Sequence, residues 1–266
     1  MTHQLPPAAL LLRGFAVDFL TAHDPRAAER IMDPGYELSI GGHLLAGRDA
    51  NYLPATVAQL DQFPGLCVTV HDVVLSPGAV AMRFTEHGVS APEGRGSSWG
   101  GVTLFRIAAG RLRYGWAEED YFARKRQLKN GQVDRIRSPH PAPWDQPVLA
   151  ADQTSEAALA LWLATPTAIL NDCEDIGAEG PRLAELIAPT GLQLSTSFTA
   201  GNRGAFHAVL SGTYSGGFEA IDGDRVNDAI SIPIAGIVDI DDHGHVVRAQ
   251  ICGDRLGLYR SLLPQR

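Results

Sequence analysis

The sequence predicts an α+β protein made of two units of one plan, helices first and then a run of long strands. Three observations carry this expectation. Each half opens with apolar, helix-compatible stretches, at 7–21 and 25–32 in the first half and at 156–170 and 181–187 in the second. Each half then turns to the two-residue alternation of half-buried strands. Between them, residues 129–150 hold four prolines, at 139, 141, 143 and 147, and neither periodicity, so this stretch reads as a linker. A chain of 266 residues, 45% apolar and 20% charged, can build a sizeable core and is not a disordered polymer.

In the first half the strands are expected at 36–40, 66–74, 79–85, 98–107 and 111–119, with a helix-compatible stretch at 49–62. In the second they are expected at 192–198, 205–214, 228–240 and 245–252. The turns "AAGR" and "DHGH" before the last strand of each half suit hairpins. The two halves also end alike: residues 106–128 lie over 240–262 without a gap at an offset of 134, which sets Gly110 on Gly244, Asp120 on Asp254, Arg126 on Arg260 and Leu128 on Leu262. The expected division is a first unit at 1–130, a Pro-rich linker at 131–150 and a diverged second copy at 151–266.

Charge and composition exclude several functions. Twenty-two basic residues, of which only Lys125 and Lys129 are lysines, face 30 acidic ones, and the net charge of -8 repels a phosphate backbone. No nucleic-acid partner is expected, and the one basic cluster, "ARKRQLK" at 123–129, reads as a solvated segment. Three cysteines without a C-x-x-C pair argue against a disulfide framework and a structural zinc, and point to a reducing cytoplasm. The nine histidines show no metal-ligand spacing, so no metal is expected. The glycines form no phosphate cradle, so no cofactor is expected either. The apolar run at 8–12 is too short for a membrane span or a signal-peptide core, and the protein is expected to have no membrane partner.

Several motifs then fall in a telling order. Gly47 precedes the helix-compatible stretch, Phe63-Pro64-Gly65-Leu66 follows it, and Thr85-Glu86-His87-Gly88 ends a strand. Phe105-Arg106, Gly110-Arg111, Trp116 to Asp120 and Gln127-Leu128 complete the series. This order resembles the SnoaL-like polyketide cyclases of the nuclear-transport-factor-two-like superfamily, over most of residues 8–128, with Gly65 where the family has Asp. The resemblance implies a cone-shaped unit with helices packed on a curved antiparallel sheet, and a diverged second cone in which Gln250 replaces Trp116. It also implies a hydrophobic small-molecule ligand, and an acid/base role for Asp120 in aldol-type ring closure or isomerisation through an enolate.

Strand parity read through 112–120 puts Leu112, Tyr114, Trp116, Glu118 and Asp120 on one face, expected to line the interior because it carries the aromatics. A carboxylate there would have a raised pKa suited to proton transfer. Asp120, His87 and His43 are the catalytic candidates, and Trp116, Trp99, Tyr114 and Glu118 the substrate-binding ones. In the second unit Asp254, Tyr214, Asn227 and Arg248 are the polar candidates, with Arg248 expected to pair with Asp254. The opposite face, with Gly115 and Ala117 in one half and Val247, Ala249, Ile251 and Gly253 in the other, is small and apolar, and is expected to pack sheet to sheet as an intramolecular pseudo-dimer, open to further homo-oligomerisation. A non-catalytic binding module is the alternative, and epoxide hydrolysis a weaker one, because no Arg-x-Asp occurs.

Overall fold

The computed structural model describes residues 4–177 and 179–264. In the first half α1 (Pro7–Arg13) continues without a break into a wider π-type stretch, Gly14–Thr21. Gly14 lets α2 (Pro25–Ile31) come close, since a Cβ there would stand 2.9 Å from Ile31 Cγ2. β1 (Met32–Ile40) and β2 (His43–Ala46) form a hairpin over Gly41 and Gly42, both with positive φ, the conformation glycine adopts freely. α3 (Leu53–Gln62), β3 (Cys67–Leu75), β4 (Ala79–Val89), β5 (Gly96–Ala108), β6 (Arg111–Glu119) and α4 (Tyr121–Asn130) follow.

The second half contains α5 (Gln153–Leu163), α6 (Pro166–Asp172), β7 (Cys173–Asp175) and α7 (Leu183–Leu186). β8 (Ile187–Ala200), β9 (Arg203–Tyr214), β10 (Ala229–Ile240), β11 (Val246–Gly253) and α8 (Arg255–Leu262) complete it. The expected strands are all present. The short β2 and β7 and the terminal α4 and α8 are additions that the alternation did not reveal, because three or four residues carry too little periodicity and "ARKRQLK" has no apolar stripe.

The architecture is two cone-like α+β units, each a sheet with its own helices. The first sheet has the order β2-β1-β6-β5-β4-β3 and the second β7-β11-β10-β9-β8. Neighbours are antiparallel except for β1 beside β6 and β7 beside β11, which run parallel. One face of each sheet meets its helices: Val80, Met82, Phe84 and Phe105 pack with Phe15, Phe19 and Tyr52, and Phe206, Leu210, Ile232 and Ile251 pack with Leu159, Leu183 and Leu258. The other faces meet each other through Val74, Ala79, Ala81, Val102 and Leu104 on one side and Ala205, Ala235, Ile237 and Cys252 on the other. The segment 131–150 runs along β3, with His140 N donating to Val70 O at 2.8 Å and Leu149 N to Leu75 O at 3.0 Å.

The faces are the reverse of those expected from parity. At β6 the pairing runs Ile107 with Leu112, then Arg106 with Tyr114, so Arg113 is an extra, bulged residue. Leu112 faces the helices, and beyond the bulge Gly115, Ala117 and Glu119 share that side, while Trp116 and Glu118 turn to the other. In the second sheet Ala249 and Ile251 likewise belong to the helix-facing core, and Cys252 to the layer between sheets. Small residues lie inside because large side chains reach them there: a Cβ on Gly115 would meet Tyr36 Oη at 2.1 Å.

Candidate active site

Between the first sheet and its helices lies a cavity of about 120 Å³. Its walls are largely aromatic and apolar, with Phe15, Tyr36, Tyr52, Phe84 and Phe105 among them, and two carboxyl groups enter it, Glu86 from β4 and Glu119 from β6. Register brings the two together: Glu86 pairs with Trp99 and Gly101 with Glu119, and Trp99 and Gly101 are two apart on one face of β5. Gly101 leaves the room they need, since a Cβ there would stand 2.7 Å from Phe84 Cζ and 3.0 Å from Glu119 Cγ.

Each carboxyl is held by a donor. Gln59 Nε2 of α3 donates to Glu86 Oε2 at 2.7 Å, and Trp99 Nε1 donates to Glu119 Oε2 at 2.9 Å. Tyr121 Oη lies 3.4 Å from Gln59 Oε1. Arg124 closes this end, its guanidinium 4.4 Å from the Tyr121 ring centroid and 5.0 Å from that of Trp99. Burial raises the pKa of Glu86 well above the ordinary carboxylate range, and the negative charge of Glu119 adds to the rise. Glu119 is raised by burial as well, with the Trp99 and Tyr121 hydrogen bonds and Arg124 opposing it. Two like charges in one apolar space resist joint ionisation, so both shifts favour a pair that shares one proton and can both give and accept it. Tyr36 Oη is buried in the same cavity without a hydrogen-bond partner among the described residues, a polar atom a ligand oxygen could satisfy.

The residues expected from sequence lie largely elsewhere. Asp120 follows β6 and caps α4, accepting from Ala123 N at 3.1 Å. Its Oδ2 stands 3.5 Å from Nη1 of the fully buried Arg255 in the second half, and burial raises its pKa to about 6 against the pull of that guanidinium. Its position is thus between the units and outside the cavity. His87, on the face of β4 opposite Glu86, hydrogen-bonds Thr69 Oγ1 at 3.1 Å, and burial lowers its pKa. His43 is exposed at the start of β2. Glu118 is buried between the sheets, 3.0 Å from His207 Nε2 and accepting from Gly41 N at 3.3 Å. Tyr114 and Trp116 pack on each other on that outer side at 6.3 Å. Of the expected binding residues only Trp99 reaches the cavity's polar end, through its bond to Glu119.

In the second unit Asp254 caps α8, accepting from Gly257 N at 2.8 Å. Tyr214 Oη accepts from Phe218 N, and Asn227 is a positive-φ turn residue whose N donates to Tyr214 O. Arg248 pairs with Asp239 at 3.3 Å and with Asp72 at 3.9 Å, not with Asp254, which stands beyond the far end of β11. Register also shows what this unit lacks. Gly253 pairs with Ile234 as Glu119 pairs with Gly101, so Glu119, Trp99 and Glu86 correspond in place to Gly253, Ile232 and Leu210. A Cβ on Gly253 would stand 2.8 Å from Leu183 and 3.3 Å from Ile232, and that position is filled by apolar packing.

The sequence carried one usable signal for the pair. Along β4 the large apolar residues Val80, Met82 and Phe84 alternate with Ala81, Arg83 and Thr85, and the next residue in phase is Glu86, not His87. No group of His, Cys, Asp and Glu among the described residues is arranged to hold a metal ion.

Among known proteins, residues 13–114 match the SnoaL-like domain. No curated protein matches the chain. A candidate SnoaL-like polyketide cyclase from Jannaschia sp. CCS1 is 17% identical with a TM-score of 0.43, over 50% of this chain and 100% of its own. TsrD from Streptomyces laurentii is 23% identical with a TM-score of 0.42, over 47% of this chain and 98% of its own. An LEH-like epoxide hydrolase of M. tuberculosis is 15% identical with a TM-score of 0.41, over 48% of this chain and 92% of its own. The stretch similar to the SnoaL-like domain, residues 13–114, holds the cavity's helices and most of its sheet.

Proposed function

We propose that the first cone is a cofactor-independent acid/base chamber for a hydrophobic, carbonyl-bearing small molecule, with Glu119 as base and Glu86 as acid. The observation that carries this is the pair of carboxyls, Glu86 buried and Glu119 partly buried, in one aromatic-lined cavity. The ionised Glu119 takes a proton from the carbon beside the ligand's carbonyl. The C–H electrons form the enolate C=C bond, and the carbonyl electrons move to oxygen, which the protonated Glu86 stabilises by hydrogen bonding. The enolate carbon then attacks a second carbonyl, whose π electrons move to its oxygen and take the proton back from Glu119, closing a ring as an alcohol; in a conjugated ligand the enolate instead takes that proton at its far carbon, which is isomerisation, and either path returns Glu119 to its ionised form. Asp120, His87 and His43 are left out of this reading because their side chains lie outside the chamber.

The test uses the simplest one-ring ketone. The protein should accelerate exchange of the acetophenone methyl protons in heavy water, followed by NMR, and Glu119→Gln or Glu86→Gln should cut that rate by roughly 10²- to 10⁴-fold. Wild-type exchange no faster than buffer, or unchanged in both variants, would overturn the assignment.

We also read the chain as a duplication of one cone, with units at 1–130 and 151–266 facing each other as a pseudo-dimer. Support comes from the repeated strand order, from the parallel first strand in each sheet, and from Asp120 and Asp254, 134 residues apart, each capping the helix after the last strand. The absence of counterparts to Glu86 and Glu119 leaves the chemistry to the first copy. Three unpaired cysteines suit a reducing cytoplasm.

A further inference from the structure

The cavity is small for the ligands its walls suit. A buried apolar space of ~150 Å³ admits one benzene, whereas sites for larger organic ligands measure about 300–1,000 Å³. At about 120 Å³ the chamber has room for one ring at most. A cleft of about 830 Å³ lies beside it, and Ile40 and Tyr121 line both spaces. The far wall of the cleft comes from the second unit, from β10, α8 and the turn before β10, and includes Ile230, Leu256 and Leu258.

Charge in the cleft is uneven. Arg225 is neutralised by Asp228 at 2.9 Å, and Asp254 is engaged by Gly257 N. Neither Arg124 nor Arg260 is in a salt bridge among the described residues, although the charge of Arg124 also reaches Glu86 and Glu119, and one Arg124 nitrogen, Nη1, is buried without any hydrogen bond among them. Both arginines also line a continuing groove of about 490 Å³, which carries Lys125 and Lys129 against a single acid, Glu93, itself hydrogen-bonded to Ser90. In a chain of net charge -8 with only two lysines, four cations line this groove, and two of them, Arg124 and Arg260, also line the cleft.

We propose that this cleft binds the anionic extension of the ligand whose ring enters the cone, and that Arg124 and Arg260 grip a carboxylate or phosphate there. The second unit thereby acts as a specificity wall in place of a second reaction chamber. The inference rests on the reading of the cone as reaction chamber only for which end of the ligand reacts.

Its test is binding, independent of turnover. Phenylbutanoate, phenylbutyl phosphate and neutral phenylbutanol are titrated calorimetrically into the full chain at low salt. The anionic probes should bind about 10-fold or more tightly than the alcohol. Arg260→Ala and the double variant Arg260→Ala/Lys129→Ala, both at exposed positions, should remove most of that preference and leave the alcohol within about twofold, as loss of charge-assisted contacts alone requires. A phosphate that outbinds the carboxylate identifies a phosphoester tail, and the reverse order a free acid; either order supports the proposal. Equal affinity for charged and neutral probes, no binding of any probe, or a preference that survives the double variant overturns it. The Glu119→Gln variant separates the two readings: the anion preference should persist in it while proton exchange is lost.

Discussion

Glu118 shows how one buried carboxyl outside the chamber shapes the whole chain's response to pH. It is buried between the sheets, with Oε2 unpartnered among the described residues, and burial followed by the nearby charge of Asp254 raises its pKa well above the ordinary range. Its partner His207 is buried too, and burial lowers its pKa to about 4. The signs are opposite. A raised carboxyl pKa favours the fold below the unfolded value of 4.5, and the benefit is lost as pH rises through the folded value. A lowered imidazole pKa favours it above 6.5, and that benefit is lost as pH falls toward about 4. Glu118→Gln keeps a neutral partner for His207 and removes only the first effect. Urea unfolding at several pH values should show the variant gaining on the wild type as pH rises above 4.5, by at most about 1.4 kcal/mol per pH unit, and no relative change below it. A difference between the two proteins that stays flat from acid to alkaline pH would refute the assignment.

At the scale of elements, β6 decides which side chains do chemistry. Gly115 there accepts Tyr36 against its backbone, and a Cβ would meet the Tyr36 oxygen at 2.1 Å. Gly115→Ala should therefore push Tyr36 off its seat and lower stability by about 1–3 kcal/mol, read as a fall in melting temperature; an unchanged melting temperature would mean that Tyr36 is free to move. The same strand explains what the sequence made legible. Strand positions followed from alternation almost throughout, since a half-buried sheet forces a two-residue pattern whatever its neighbours. The facing of β6 did not, because the bulge at Arg113 inserts one residue and inverts every side chain after it. Size also misled. Large aromatics suggested an interior, yet Tyr114 and Trp116 lie outside, and glycine and alanine lie where aromatics of β1 and the helices arrive. Glu86 sat in phase with three apolar residues and was open to view, whereas nothing short of the bulge distinguished Glu119 from its neighbours Glu118 and Asp120.

At the scale of the molecule, the two sheets are joined by an apolar centre with a polar rim. Val74, Ala79, Ala81, Val102 and Leu104 meet Ala205, Ala235, Ile237 and Cys252 in the middle. Around them Arg203 binds Asp72 at 2.7 Å, Arg83 binds Glu174 at 3.4 Å, and Arg255 meets Asp120 at 3.5 Å. Fully buried small side chains in the centre bring the sheets close, while the rim's charged pairs fix their orientation and contribute less net energy, since each ion gives up water to form its pair. An isolated first half would expose this centre as a contiguous apolar patch, the kind of surface that soluble monomers rarely carry. Residues 1–135 expressed alone should therefore self-associate, and sedimentation should show dimers or larger species at micromolar concentration. Leu104→Glu in that fragment should return it to a monomer, because the charge falls in the centre of the exposed face and leaves the helix-facing core of the cone untouched. A wild-type fragment that sediments as a stable monomer would show that the first cone does not need the second to cover its sheet, and would remove the physical reason for keeping the two in one chain.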